Sequence, residues 1–448
     1  MSVSHLFRAE PVPQADRIRS LDSLRGVAIL GILLMNIPVF ALPAHFTDVF
    51  HQDIYDQNFW MHAIVTVLFE GKMRALLSMI FGAGILLFIA RKEQAGLAYK
   101  NLFLKRMIWL VIFGLIHAHL MLWTGDILYF YGIIGLIAFL FRHMRPKYLA
   151  MCVPIVAIAG LLLSILFYQS IRQKRLDYLK VEILLKHGRT LNAGQRKTIT
   201  SWNDVQKEFI PDAQQIAAHA HLMKSGYKAV AGYIRPLARD AQTKYFPYVL
   251  GDILAFMLLG MALFQWGFFS GEWSARDYCQ TLIAGYGLGL PLVIYSYYQS
   301  YLRAPGPDAF IHYMENHPVI WTDMIYPFQR ILLGLAHASL LMLIIRSPLW
   351  ISFTKRLAAV GQMAFTNYMM QTLFCTLTFF GYGFNYFAEI EFYELYYIAG
   401  LIWVLQLIVS PIWLRYFLFG PLEWLWRSLT YGELQPMRRP PPVYVLVD

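Results

Sequence analysis

The chain has 448 residues, of which 58% are apolar and only 15% charged, against about 25% charged in an average soluble domain. That composition excludes a disordered protein, a soluble nucleic-acid binder and an ordinary cytosolic enzyme. The 38 basic residues exceed the 27 acidic ones, a formal charge of +11, and in so apolar a chain this excess points to membrane topology before nucleic acid.

The first twenty residues lack an apolar h-region, so no cleaved signal peptide is expected. Ten apolar runs follow that are candidates to cross a bilayer, each read against the requirement for about 20 residues. They begin near Leu24, Lys72, Leu102, Asp126, Tyr148, Tyr248, Tyr278, Met324, Val360 and Leu395. The stretch Asn58 to Glu70 is apolar but short and reads as an interfacial or re-entrant helix. The fold class is therefore all-α, a polytopic membrane protein of about ten transmembrane helices. Its expected units are a tail (1–20), a first bundle (21–170), an extracytoplasmic helical insert (171–246), a second bundle (247–428) and a C-terminal tail (429–448).

Orientation follows from Lys and Arg in short loops. With the N-terminus inside, the inner segments hold Arg17 and Arg19, then Arg91, Lys92, Lys100, Lys105 and Arg106, then Arg142, Arg145 and Lys147. The short outer segments hold mainly acids, such as Asp48, Asp53 and Asp56, and later Glu389, Glu391 and Glu394. Arg303 is an exception. Both termini are thus expected to be cytoplasmic. The long insert, from about Ile171 to Thr243, falls outside; it reads as two or three amphipathic helices with a turn at Asn192-Ala193-Gly194. Its basic excess is either a solvated face or a surface for anionic headgroups or an anionic glycan.

Internal similarity is faint. Gly114-Leu115-Ile116-His117-Ala118 recurs as Gly334-Leu335-Ala336-His337-Ala338, but Gly125-Asp126-Ile127-Leu128 recurs as Gly251-Asp252-Ile253-Leu254 at a different offset. Three unclustered cysteines, Cys152, Cys279 and Cys375, give neither a disulfide framework nor a zinc pattern.

Ionisable groups in spans are costly and point to function. At the start of the first span Asp22 and Arg25 are three apart and can pair on one face. Arg25 either snorkels or holds an anionic group such as a phosphate. His117 and His119 are two apart on a helix and point away from each other, so both cannot serve one cavity. Asp126 either caps the fourth span or faces a histidine. Asn36, His45, one of those histidines, Asp126 and Asp252 can form an outer-half site in which a carboxylate orients a histidine base; His51 rivals His45. Arg330 and His337 share a helix face, and Thr366, Asn367 and Gln371 either line a polar track or hydrogen-bond between helices. Lys72 and Arg74 either snorkel, the favoured reading, or contact substrate, and Trp60, Trp123, Trp424 and Trp426 read as aromatic belt.

These residues resemble the bacterial YeiB family, also called domain of unknown function 418. The resemblance rests on Leu21-Asp22-Ser23-Leu24-Arg25-Gly26 with Leu34-Met35-Asn36-Ile37, on Phe81-Gly82-Ala83-Gly84, on Gly125-Asp126-Ile127-Leu128, on Thr366-Asn367-Tyr368 with Gln371, and on Gly420-Pro421-Leu422-Glu423-Trp424-Leu425-Trp426-Arg427. The motifs run in order from about residue 17 to 432. The family is similar in fold to the transmembrane acyltransferases, including heparan-α-glucosaminide N-acetyltransferase.

The resemblance implies an enzyme of the bacterial inner membrane. It would move an acyl group from cytoplasmic acyl-CoA, a co-substrate and not a resident cofactor, to an extracytoplasmic hydroxyl or amine on a glycan or lipid. His45 would then be catalytic with His117 and Asp126. Arg25, Lys105 and Arg106 would hold the acyl-CoA, and Asn36, Asp252, Asn367 and Gln371 would contact the acceptor. No metal or redox cofactor and no nucleic acid is expected, whereas the bilayer and a second copy in a homodimer are. The alternative is a transporter or lipid-handling protein without acyl-transfer chemistry.

Overall fold

The computed structural model describes residues 19–43, 55–94, 96, 99–209, 211–302 and 307–439. Among them the regular structure is helical, with one isolated bridge between Phe417 and Arg438. The first bundle holds α1 (Arg19–Ala41), α2 (Gln57–Leu68), α3 (Lys72–Gln94), α4 (Tyr99–His119), α5 (Leu128–Phe139) and α6 (Pro146–Lys186). The insert adds α7 (Ala193–Phe209), α8 (Ala213–Met223) and α9 (Tyr227–Gln242). The second bundle holds α10 (Phe246–Gln265), α11 (Ala275–Tyr297), α12 (Pro307–Asn316), α13 (Trp321–Arg346), α14 (Ile351–Gln362), α15 (Ala364–Phe379), α16 (Leu395–Tyr416) and α17 (Pro421–Tyr431).

Eight helical segments among the described residues are long and apolar enough to cross a membrane: α1, α2 with α3, α4, α6, α10, α11, α13 and α16. The other two expected spans take different forms. The fourth, α5, has 12 residues, about 18 Å of rise, well short of a hydrocarbon core of about 30 Å. The ninth is broken at Met363 into α14 and α15. The break is held open by Glu423 at the start of α17. Its carboxylate accepts the N–H groups of Phe365 (2.7 Å) and Thr366 (3.0 Å) and the Thr366 hydroxyl (2.6 Å). These orphan donors of a helix start would otherwise be unsatisfied inside the bundle. The short helix expected at Asn58 to Glu70 is α2, with Asp56 as its N-cap.

Two ends of the bundle can be told apart. The basic end gathers Arg91, Lys92, Lys105, Arg106 and Lys147; the insert end carries α7 to α9 and the acids Glu389, Glu391 and Glu394. Close packing depends on small residues. A Cβ on Gly26 would strike the Leu357 carbonyl and stand 3.2 Å from the Gly361 nitrogen, so α1 and α14 touch backbone to backbone.

α6 runs 41 residues without a break, about 60 Å, so its second half projects beyond any bilayer and becomes the first strut of the insert. Gly188, at φ +70°, ends it. The turn expected at Asn192 is a cap: Asn192 Oδ1 accepts the Gln195 N–H and Gln195 Oε1 accepts the Asn192 N–H, each at 2.9 Å. Trp202 and Val205 of α7 pack with Ile311 and Met314 of α12 in a small separate core. In α8, His219 lies between the rings of Tyr233 (4.8 Å) and Phe387 (5.5 Å), and burial lowers its pKa below the ordinary 6.5.

Candidate functional site

The site is built where α4, α5 and α15 meet. His117 is fully buried near the insert end of α4, and Asp126 lies in the turn before α5. His117 Nδ1 is 2.8 Å from Asp126 Oδ1, and Nε2 is 2.8 Å from the Thr372 hydroxyl of α15. Asp126 does both jobs that its position allows. It also accepts the N–H groups of Leu128 (3.1 Å) and Tyr129 (2.8 Å), so it caps α5 while facing the histidine. The carboxylate faces Nδ1 and the Thr372 hydroxyl faces Nε2, so both ring nitrogens have a partner. The three groups form a carboxylate–imidazole–hydroxyl line, the arrangement that orients a general base. Gly114 makes room for it: a Cβ there would stand 2.7 Å from Asp126 Oδ2.

Tyr368 joins this line to open space. Its ring packs edge-on against His117 with 4.9 Å between centroids. Its hydroxyl is 3.2 Å from the Gly125 carbonyl and 3.3 Å from Trp123 Nε1. Tyr368 also lines a cavity of about 280 Å³ that opens toward the basic end. The mouth carries Arg25, Arg91, Lys92, Arg106 and Arg427 against Asp22 and Glu423; the walls are apolar, including Ile29, Leu77, Ile80, Ile85 and Leu110. Tyr131 and Tyr368 are polar groups away from the mouth.

The expected residues divide sharply. Arg25 pairs with Asp22 at 2.9 Å and lines the mouth. Arg106 lies over the Trp426 ring at 3.9 Å, and Trp426 Nε1 donates to the Arg106 carbonyl at 3.0 Å. Trp426 is thus a cavity-mouth residue and not the belt residue expected of it. Lys105 is exposed and absent from the cavity wall, because one residue along a helix turns the side chain by about 100°. His119 faces away from His117, as the spacing requires, and its Nε2 meets Gln242 of α9 at 3.0 Å.

The single outer-half cluster expected from the sequence does not form as such. Asp252 does not join His117; it is ion-paired to Arg330 and, at 2.9 Å, to Arg74. Asn36 is half-buried on α1, and His45 and His51 lie outside the described residues. Asn367 and Gln371 are not in the cavity wall. Asn367 Nδ2 donates to the Val360 carbonyl (3.0 Å) and Ser410 (3.1 Å), and Gln371 Nε2 to Gln406 (3.0 Å). They tie α15 to α14 and α16 by interhelical hydrogen bonds. Lys72 does not snorkel: it is 1% exposed and donates to the Thr66 carbonyl at 2.8 Å. His337 turns its Nδ1 to the Leu333 carbonyl of its own helix at 2.6 Å.

Sequence reading passed over Tyr368, Thr372 and Glu423 as site residues. Tyr368 and Glu423 stood inside quoted motifs, but nothing local showed which of the motif residues faces a cavity. Thr372 had no signal beyond its position five residues after Asn367.

Fold and site together define a polytopic helical membrane protein with a cation-rimmed internal cavity. Residues 263–433 match the family described as "Protein of unknown function (DUF418)", which bears out the resemblance to the YeiB family. The chain is 29% identical over 428 residues to the uncharacterized protein YeiB of Escherichia coli K12, covering 94% of this chain and 98% of that one. It is 27% identical over 445 residues to the uncharacterized protein YxaH of Bacillus subtilis 168, covering 96% and 98%. No solved structure matches the chain.

Proposed function

We propose that the protein is an inner-membrane acyltransferase that takes an acyl group from cytoplasmic acyl-CoA and delivers it to a hydroxyl or amine on the opposite side. The observation that carries this reading is the cavity, whose mouth is cationic and whose wall includes Tyr368, the residue packed on His117. The phosphates of the donor suit Arg25, Arg106 and Arg427, and its nucleotide ring suits the Trp426 face. The acyl arm lies along the apolar walls. His117 has no exposed surface, so the acceptor reaches it by displacing the Thr372 hydroxyl from Nε2; the imidazole, oriented by Asp126, then takes the acceptor's proton as the new C–O or C–N bond forms and the C–S bond breaks, and the sulfur leaves as thiolate and is protonated to the free thiol. The Tyr368 hydroxyl, which donates to the Gly125 carbonyl at 3.2 Å, turns from it to meet charge developing on the carbonyl oxygen.

A second reading has its own support. Besides its charged groups the cavity is lined by the phenols of Tyr131 and Tyr368 and the Gln362 side chain, few partners for the amides that a pantetheine arm brings. An anionic lipid, with its headgroup at the rim and its chain inside, would fit the same walls without any transfer.

The test is acyl-CoA binding to detergent-purified protein by native mass spectrometry and calorimetry, with Arg25→Ala as control. Saturable binding that the control loses is expected. A folded sample that binds anionic lipid but no acyl-CoA transfers the cavity to the second reading.

A further inference from the structure

Gly84 stands in the middle of the cavity wall that α3 provides. Leu77, Ile80, Phe81, Gly84, Phe88 and Arg91 line the cavity and recur at helical spacing, so they share one face of α3. Gly84 is seven residues from Arg91 at the rim and seven from Leu77, the α3 wall residue farthest from it. By helix rise that is about 10 Å each way. A Cβ on Gly84 meets nothing within 4 Å. The open space it faces is the cavity, because the residues one turn before and one turn after it on the same face line the cavity too.

Helix packing does not account for a glycine here. Gly82, two residues away and so on the other side of α3, is required by contact: a Cβ there would strike the Met257 carbonyl of α10. Gly84 has no such neighbour, and a glycine inside a helix is less stable than an alanine. The rings one turn to either side have partners of their own. Phe81 packs edge-on against Tyr131 with 5.0 Å between centroids. Phe88 lies 6.1 Å from the Phe103 ring and 5.6 Å from the Arg106 guanidinium. Neither phenylalanine comes within 4 Å of a Cβ at position 84, so the gap between them stays open.

We infer that Gly84 is the point at which the arm of an anion-headed amphiphile passes from the cationic rim to the inner end of the cavity, and so the residue that decides how deep a bound arm reaches. The head stays with Arg25 and Arg106 at the rim, and the arm lies against bare α3 backbone at Gly84. Its far end meets Tyr131 and Tyr368, the polar groups away from the mouth. Glycine suits such a passage because it has no Cβ to hold a ligand off the backbone. In a helix the Cβ bonds tilt toward the N-terminus, which for α3 is the end away from Arg91 and Lys92. A side chain at position 84 would therefore grow toward the inner end and leave the rim clear. The inference rests on the cavity holding a ligand with an anionic head and a long arm, which both readings of its function share; it does not require acyl transfer.

The experiment measures binding to the full chain in nanodiscs of zwitterionic lipid by native mass spectrometry, with Gly84→Ala, Gly84→Leu and Gly84→Phe beside the wild type. The armed probes are acetyl-CoA and lysophosphatidylglycerol; the heads without arms are ADP and glycerol 1-phosphate. For at least one armed probe, binding is expected to weaken with side-chain size, at least tenfold in Gly84→Phe. The matching head alone is expected to bind wild type and variants equally. Unfolding temperatures check that the variants fold, and if Gly84→Phe does not, Gly84→Leu decides. Armed-probe binding that is equal in the wild type and the folded variant overturns the inference, and so does wild type that binds neither armed probe. An equal loss of the head alone also overturns it, since the substitution would then act on the rim. The two armed probes separate the readings of the cavity. Sensitivity of lysophosphatidylglycerol to position 84, with no acetyl-CoA bound, removes the donor reading and keeps this one. Acetyl-CoA that binds through Arg25 and ignores position 84 keeps the donor reading and removes this one.

Discussion

Tyr368 is the described residue that both lines the cavity and touches His117, with 4.9 Å between the two rings. His117 itself has no exposed surface. A cavity ligand reaches the pair through that tyrosine and through Leu128, which also lines the cavity and donates its N–H to Asp126 at 3.1 Å.

His117→Ala is expected to lower acyl-CoA turnover in acceptor-containing membranes, followed as free thiol release, by about 10²–10⁴-fold. Tyr368→Phe keeps the ring contact and loses the hydroxyl. It should retain donor binding and lose about 10²-fold in turnover. Turnover of Tyr368→Phe at the wild-type level would remove its assigned role while leaving that of His117 standing.

Asp126 has a structural part that can be separated from chemistry. Asp126→Asn keeps one acceptor oxygen for the α5 start but replaces the carboxylate that faces His117 Nδ1 with an amide. The variant should fold with a stability loss of about 1–2 kcal/mol, the scale of a weakened cap, yet show turnover near that of His117→Ala. Full turnover in a folded Asp126→Asn protein would show that the histidine needs no carboxylate.

Donor binding is electrostatic at the rim and so should depend on salt. Arg106→Gln is expected to raise the Kd for acyl-CoA about tenfold, equivalent to about 1.4 kcal/mol, with a shallower salt dependence. Lys105→Gln, one residue away but exposed, should leave the Kd unchanged. A larger effect of Lys105 than of Arg106 in calorimetry would place the donor elsewhere.

Helix contact through small residues gives a prediction independent of function. Gly26→Leu forces α1 from α14 and is expected to cost about 1–3 kcal/mol or more in thermal unfolding. Gly84→Ala is a control, since a Cβ there meets nothing within 4 Å. Equal unfolding temperatures for the two variants would contradict the packing described.

His219 makes the insert sensitive to acid. Its pKa is lowered in the folded state from 6.5, so the unfolded chain binds the proton more readily and stability rises with pH across that interval. The contribution is complete above about 6.5 and is lost as pH falls through the folded value. Hydrogen exchange at the α8 and α9 amides should accelerate on acidification in the wild type and less so in His219→Phe. An equal response in both would assign the acid sensitivity to other groups.

The sequence by itself determined the class of protein, since apolar run length and the scarcity of charge admit only a bilayer-spanning helical chain. Local spacing also settled several features: Asp22 with Arg25 three residues apart, His117 and His119 on opposite faces, and a turn at Asn192. The tertiary structure decided which polar residues share a site. Asp126 and Asp252 open with the same Gly-Asp-Ile-Leu, yet one meets a histidine and the other two arginines, because the helices packed beside them differ. Arg106 and Lys105 are adjacent and equally charged, but helix rotation sends one to the cavity and the other outward. Breaks were hidden for the same reason. Gly361 and Gln362 precede Met363 without fixing a break there, and the carboxylate that stabilises the break comes from Glu423, some sixty residues later. Long-range partners of this kind leave no periodic signal in the chain.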